Sequence, residues 1–162
     1  MSVRGSLFLV ASVISGRDSD RAESASRLRR AGDLAAALGR DGNHAWTAFG
    51  PTNVAIHAVS AAVESGQAKL AVALAEDLDT TGFPDGLRSR RAQLNVDLAR
   101  AHAQLREDAA AVVNLLEAER IAPEVPRCNV IVRDLLGELL KRERRSATPG
   151  LRAVAARAGA RR

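Results

Sequence analysis

The feature that most constrains this chain is a pattern of small and large apolar residues at helical spacing on both sides of a short polar turn. Leu98, Ala99 and His102 precede the turn at Arg106 to Asp108, and Ala111, Leu115, Ala118 and Pro123 follow it. Residues three and four apart share one face of a helix, so each arm presents one stripe. Alanine at 99 and 118 lets two helices approach closely, Leu98 and Leu115 fill the space between them, and Pro123 ends the second helix. Such a hairpin cannot bury its face alone and needs neighbours of the same build.

Those neighbours are legible upstream. Asn53 to Asp79 reads as a looser copy with Ala71 and Ala75 in the small-residue positions, and Leu7 to Leu38 as a first, least regular copy. The spacing is that of a tetratricopeptide hairpin. Breakers at Gly16, Gly39 to Gly50, Gly66, Thr80 to Gly86, Arg106 to Asp108 and Pro123 to Pro126 divide the chain into seven helical segments: 3–15, 19–38, 52–65, 67–78, 87–105, 108–121 and 128–145. No alternating strand pattern survives this division. Asp18, Thr52 and Asp108 are the expected N-caps. In segment 128–145, Ile131, Val132, Leu135, Leu136, Leu139 and Leu140 form a double apolar row that caps the last hairpin or pairs with another chain. The predicted fold is all-α, with about three tetratricopeptide-like antiparallel helical hairpins and a C-terminal capping helix. It occupies 1–145 as one domain, and 146–162 follows as a basic, partly flexible tail. Within that tail Leu151, Val154, Ala155 and Ala158 mark one side of a short amphipathic helix.

Composition agrees with this and narrows the function. With 162 residues, 46% hydrophobic and 27% charged, the chain is long enough to bury a core without disulfides or metals. A lone cysteine, Cys128, excludes an internal disulfide framework and paired-cysteine zinc patterns, and favours a reducing, cytoplasmic location. The net charge of +5 is unevenly placed: the residues from Lys141 onward carry +7, leaving the first 140 at −2. The body therefore lacks the basic face of a nucleic-acid binder. Arg4 followed by the apolar run Leu7 to Ile14 resembles a secretory leader only loosely, and no stretch approaches the roughly 18 apolar residues of a membrane span.

Catalytic patterns are missing as well. There is no phosphate-cradling GxGxxG or GxxxxGK[ST] loop, and His44, His57 and His102 are too widely spaced for an HxxxH or HExxH metal pair. Cys128 has no companion marking it as a nucleophile and is placed at a helix start as an apolar filler. Glu76, Asp77 and Asp79 read as a solvated face. The expectation is a protein that is not an enzyme, with no cofactor and no metal.

Against this plain Ala/Leu/Arg background one segment stands out: WTAFGPTNVAIH, Trp46 to His57, which holds two of the chain's four aromatics beside a Gly-Pro helix start. Asn53, Ile56, His57 and Ser60 share one face of the helix that follows. By repeat spacing Gln93, Val96 and Arg100 line the same concave groove from the next hairpin. Asn and Gln read amide groups of an extended peptide, and Arg holds a carboxylate in a fork. The candidate ligand- or partner-binding residues are therefore Trp46, Phe49, Asn53, His57, Gln93 and Arg100. In the alternative, Trp46 and Phe49 plug the junction between the first two hairpins while Asn53 pairs with nearby backbone.

This segment, together with RGSLFLVA, DLARAHAQLREDAAAVVNLLEAERIAP and RRSATPGLRAVAARAG, resembles the C-terminal region of actinobacterial Xre-type helix-turn-helix transcriptional regulators. The resemblance implies a ligand- or partner-sensing module. It places the DNA-reading helix-turn-helix ahead of the repeats within which Met1 lies, so no specific DNA binding by this chain alone is expected. A peptide or protein segment in the concave groove is the implied partner. A second copy or a full-length relative is the candidate partner for helix 128–145, and no membrane contact is expected. The alternative is a stand-alone tetratricopeptide-like interaction scaffold with no link to transcription.

Overall fold

The computed structural model describes residues 1–43, 46–79 and 87–160. Among them the chain is all-α, with no strand and nine helices. These are α1 (Ser2–Arg17), α2 (Arg21–Leu38), α3 (Pro51–Glu64), α4 (Ala68–Glu76), α5 (Arg88–Gln104), α6 (Asp108–Ile121), α7 (Glu124–Cys128), α8 (Val130–Lys141) and α9 (Leu151–Arg157). They form two compact units, Met1–Leu87 and Arg88–Arg162, where the sequence reading had a single repeat domain over 1–145. The predicted turn at Thr80 to Gly86 lies outside the described residues.

One local structure recurs. The helix pairs α1/α2, α3/α4 and α5/α6 are each joined by three residues, and the middle one is always left-handed: Ser19 at φ 62°, Gly66 at φ 69° and Arg106 at φ 64°. Each first helix closes with the same two bonds. Asp20 N–H donates to Ser15 O at 2.9 Å, Gln67 N–H to Ala62 O at 2.8 Å and Glu107 N–H to His102 O at 2.9 Å. The left-handed residue itself donates one turn back, to Gly16, Val63 and Ala103 respectively. This is the Schellman closure, which satisfies carbonyls that a helix end otherwise leaves unpaired. The closure moves the expected N-caps: Asp20, not Asp18, caps α2 by accepting from Glu23 N–H at 2.9 Å, and Glu107 precedes α6 in place of Asp108. At α3 the N-cap is Gly50, not Thr52.

In the first unit Leu9, Ala31, Ala35 and Phe49 form a buried cluster, with Phe8, Leu28, Leu34, Leu38 and Val54 packed against it. Small residues bring α1 and α2 together: Ser24 Oγ donates to Ser12 O at 2.8 Å, with both serines buried. Arg17 grips Glu64 through two bonds of 3.0 and 3.3 Å, tying α1 to the end of α3.

The second unit has the larger core. Ala99, Ala111, Leu115 and Ala118 are fully buried where α5 crosses α6, as the small-residue spacing requires. Segment 128–145 is divided: Cys128 ends α7 and is exposed, and Asn129 starts α8 by accepting from Ile131 N–H at 2.9 Å. On α8, Val132, Leu136, Leu139 and Leu140 enter the core, while Ile131 stays 40% exposed. The basic segment read as a tail contains α9, and Leu151, Val154, Ala155 and Ala158 are buried in the same core. The described part of that segment is thus packed, because its apolar side finds α6 and α8.

Two ion-pair nodes fasten these pieces. Arg142 holds both Asp108 oxygens and the Ala103 carbonyl, at 2.7 to 3.1 Å. Glu119 receives Arg157 from α9 at 2.7 Å and Arg127 from α7 at 3.3 Å. The hydrogen bond from Arg157 holds the Glu119 carboxyl below the usual carboxylate range, outweighing partial burial, and Arg127 adds to it.

Two predictions follow from these joints. Replacing Arg106 by Gly removes the cost of a Cβ in the left-handed region, so Arg106→Gly is expected to stabilise the protein by about 0.5–1 kcal/mol in urea unfolding, whereas Gly66→Ala destabilises it by about 1 kcal/mol. At Glu119 the folded pKa is depressed, so its contribution is present above the ordinary value of 4.5 and is lost as pH falls through the folded value. Glu119→Gln should lower the thermal midpoint at pH 7, and the gap to wild type should shrink below pH 4.5; a gap that stays constant down to pH 3 contradicts this account.

Candidate functional site

The connection from α2 to α3 carries the distinctive segment, and its course is set by close packing against α1. Phe49 is fully buried, and its ring lies against the backbone of α1 at Gly5, where a Cβ would overlap the ring. Gly50 is required by a second close approach, because a Cβ there would overlap Asp41. Asp41 in turn accepts from Thr52 N–H at 3.0 Å, placing a carboxylate at the first turn of α3, where negative charge is favoured. Thr52 contributes a backbone donor here, not a capping oxygen.

Further bonds pin the loop. Gly42 N–H donates to Phe49 O at 3.2 Å, Ala48 N–H to Asn43 Oδ1 at 3.1 Å, and Ser6 Oγ of α1 to Thr47 O at 3.3 Å. Trp46 and Ala48 both sit in the left-handed region, at φ 60° and 51°. Backbone of this kind costs on the order of 1–2 kcal/mol per residue, so it persists only where its surroundings hold it. The outcome separates the two aromatics: Phe49 is an anchor, and Trp46 stands out with 91% of its surface exposed. His44 lies outside the described residues.

Asn53 and His57 are positioned by α3, which packs against α1, α2 and α4. Both are buried, at 1% and 9% exposure, so neither lines an open groove. His57 Nδ1 lies 2.9 Å from Asn53 O, and a carbonyl only accepts, so that nitrogen carries the proton of this bond. Among the described residues the buried Asn53 side-chain oxygen accepts no hydrogen bond. It therefore does not pair with nearby backbone through Oδ1. Val59 and Ile56 beside them are also buried. These are features of a core helix.

Gln93 and Arg100 belong to the second unit and meet there over a residue the sequence reading passed by. Asp97 is buried, accepting from Gln93 Nε2 at 3.1 Å and paired with Arg100 at 3.6 Å. The three lie at i, i+4 and i+7, one face of α5, so the arrangement was open to inference from the lone acid in an otherwise Ala/Leu/Arg stretch. Arg100 is directed to this carboxylate, and its side chain is only 18% exposed.

Elsewhere in the second unit a cavity of about 680 Å³ opens beside Arg106, Glu107, Asp108, Arg142, Arg144 and Thr148. The sequence did not signal it, since it arises where the α5–α6 turn meets the chain leaving α8. Its acids are engaged, Asp108 by Arg142 and Glu107 by His102 Nδ1 at 2.6 Å. Three further C-terminal basic residues are likewise paired: Lys141 with Glu138, Arg152 with Glu143 and Arg157 with Glu119. Among the described residues no group of three or more His, Cys, Asp or Glu is placed to hold a metal ion, and no helix is long and apolar enough to cross a membrane.

The contact of Phe49 with Gly5 is the mechanical base of the site. Gly5→Ala should destabilise the protein by about 1–3 kcal/mol through overpacking, and Phe49→Leu in the same chain should restore part of the loss. A Gly5→Ala protein with wild-type stability would show that the ring does not bear on α1. Comparison with known proteins finds no matching family model, no matching curated protein and no matching solved structure.

Proposed function

We propose that this chain is a partner-sensing helical module, similar to the regulatory half of an Xre-type transcriptional regulator, and that it recognises a peptide or protein segment at the Trp46 loop. The observation that carries this reading is the contrast between anchor and display. Phe49, hydrogen bonds donated by Ser6, Gly42, Trp46, Ala48 and Thr52, and two glycine-enabled contacts hold a segment whose outermost feature is a fully presented indole. Tryptophan is among the residues that most often dominate binding energy at interfaces, and it loses little conformational entropy when it docks. The hydrogen bonds on Trp46, Thr47, Ala48 and Phe49 lower the ordering cost further.

Burial of Asn53 and His57 and the pairing of Arg100 with Asp97 move recognition away from the residues proposed on sequence grounds for a concave groove and toward Trp46. The pairing of Arg142, Arg152 and Arg157 with acids supports the part of the reading in which this chain alone binds no specific DNA sequence. No catalytic step, cofactor or metal enters it, and the proposed location is cytoplasmic.

The test compares wild type with Trp46→Ala in capture from an extract of the source cells, followed by titration of the captured partner. Loss of a hot-spot side chain worth about 2 kcal/mol should weaken binding by roughly 30-fold. Thermal stability should stay within about 1–2 °C of wild type, since the side chain is exposed and makes no core contact. Equal capture by both proteins would remove Trp46 from the site, and with it this reading.

A further inference from the structure

The inner side of α1 is committed to the first unit: Gly5, Leu9, Ser12, Ser15 and Gly16 are all buried. Its outer side is not. Val3, Leu7, Val10 and Ile14 are 52%, 65%, 54% and 52% exposed, and Met1 beyond them is 75% exposed. Single exposed apolar residues require no explanation, but a contiguous stripe does. Their spacing of four, three and four is that of the contact positions in a heptad seam.

We propose that this face of α1 pairs antiparallel with the same face of a second copy of the chain. Four observations favour that occupant. Reversing the direction of the helix maps the stripe onto itself, so Val3 meets Ile14 of the second copy and Leu7 meets Val10, which is the self-complementarity a two-fold contact needs. From Gly5 to Gly16 the helix carries no charged residue, so nothing repels along the seam. The ends favour the antiparallel sense: that register sets Arg4 opposite the uncharged Val13 and on the side of Asp18, whereas a parallel pair would set Arg4 against Arg4. Arg17, the other cation near that end, is already held by Glu64. Arg4 also lies over the Phe8 ring at 5.7 Å, to the side of the stripe.

The size of the surface sets the strength. A helix of 16 residues is about 24 Å long and one such face is smaller than the roughly 800 Å² per partner of a standard interface, so the dimer is weak and reversible. Helix α8, the pairing surface suggested by sequence, is a poorer candidate because Val132, Leu136, Leu139 and Leu140 are buried in the second unit. The proposal does not depend on the Trp46 reading, which uses different residues and a different partner.

Sedimentation equilibrium of the full chain from about 1 to 500 μM should show a monomer–dimer equilibrium with a dissociation constant of roughly tens of micromolar. Leu7→Glu should remain monomeric over that range, with the circular dichroism spectrum and thermal midpoint of wild type. Orientation is read by disulfide trapping in a Cys128→Ser background. The double variant Val3→Cys/Ile14→Cys should form a covalent dimer under mild oxidation, and Val3→Cys alone should not. A wild-type chain that stays monomeric to 500 μM, a Leu7→Glu chain that still dimerises, or cross-linking by Val3→Cys alone would each overturn the proposal.

Discussion

Everything in this fold depends on reversing the chain within three residues, and the paired bonds at the ends of α1, α3 and α5 achieve it. Once Asp20, Gln67 and Glu107 have donated back into the preceding helix, the next helix must start at once and run antiparallel to the first. The crossing is then so close that the side chains facing it must be small. Ala31 and Ala35 on α2, Ala61 and Ala62 on α3, and Ala99 and Ala118 across α5 and α6 are all buried for this reason. The turn thus accounts for these buried alanines. Two of the three turns put a residue with a Cβ into left-handed backbone, at a cost of about 1–2 kcal/mol each, which the satisfied carbonyls and the packing behind them offset.

That chemistry explains which parts of the fold could be read directly. Gly66 announces its turn, because glycine is the usual occupant of left-handed backbone. Ser19 does not, and the break was therefore assigned to Gly16 and the cap to Asp18, whereas the turn at Arg106 is legible from the polar run Arg106 to Asp108 and not from its left-handed residue. In the structure Gly16 is inside α1, and it is needed there because Ala61 O of α3 stands 3.1 Å from where its Cβ would be. The C-terminal segment was misread for a related reason. Its charge density is that of a solvated tail when only neighbouring residues are considered, but the acids that answer it, Glu119 for Arg157 and Asp108 for Arg142, lie 38 and 34 positions earlier. No local window contains both partners.

The distinctive segment was legible as a place, and less so as an arrangement. Sequence treats Trp46 and Phe49 as a pair, since both are large aromatics on one loop. Their fates diverge because Gly5, more than 40 residues away, opens a space that only one ring can enter. Asn53 and His57 suggested an open polar face because they share a helix side. That side is covered because α3 is gripped by α1, α2 and α4 at once, a property of the tertiary arrangement and not of α3. Asp97 shows the opposite case: its partners Gln93 and Arg100 are within one helix, and the spacing alone contained the answer.

The first unit joins its two outward-facing features through a short and stiff path. The Trp46 loop touches α1 at consecutive residues, Phe49 against Gly5 and Thr47 O bonded to Ser6 Oγ, and the next residue, Leu7, is the most exposed of the four seam residues on the outer face of α1. Gly5 leaves no slack, so the ring of Phe49 cannot advance without moving the helix, and interiors packed at this density pass a displacement on instead of absorbing it. On the proposed readings, a partner that pulled on the indole would act on the same turn of α1 that would meet a second copy. Coupling between the two surfaces would then require no long relay through the core, only one buried ring and one hydrogen bond.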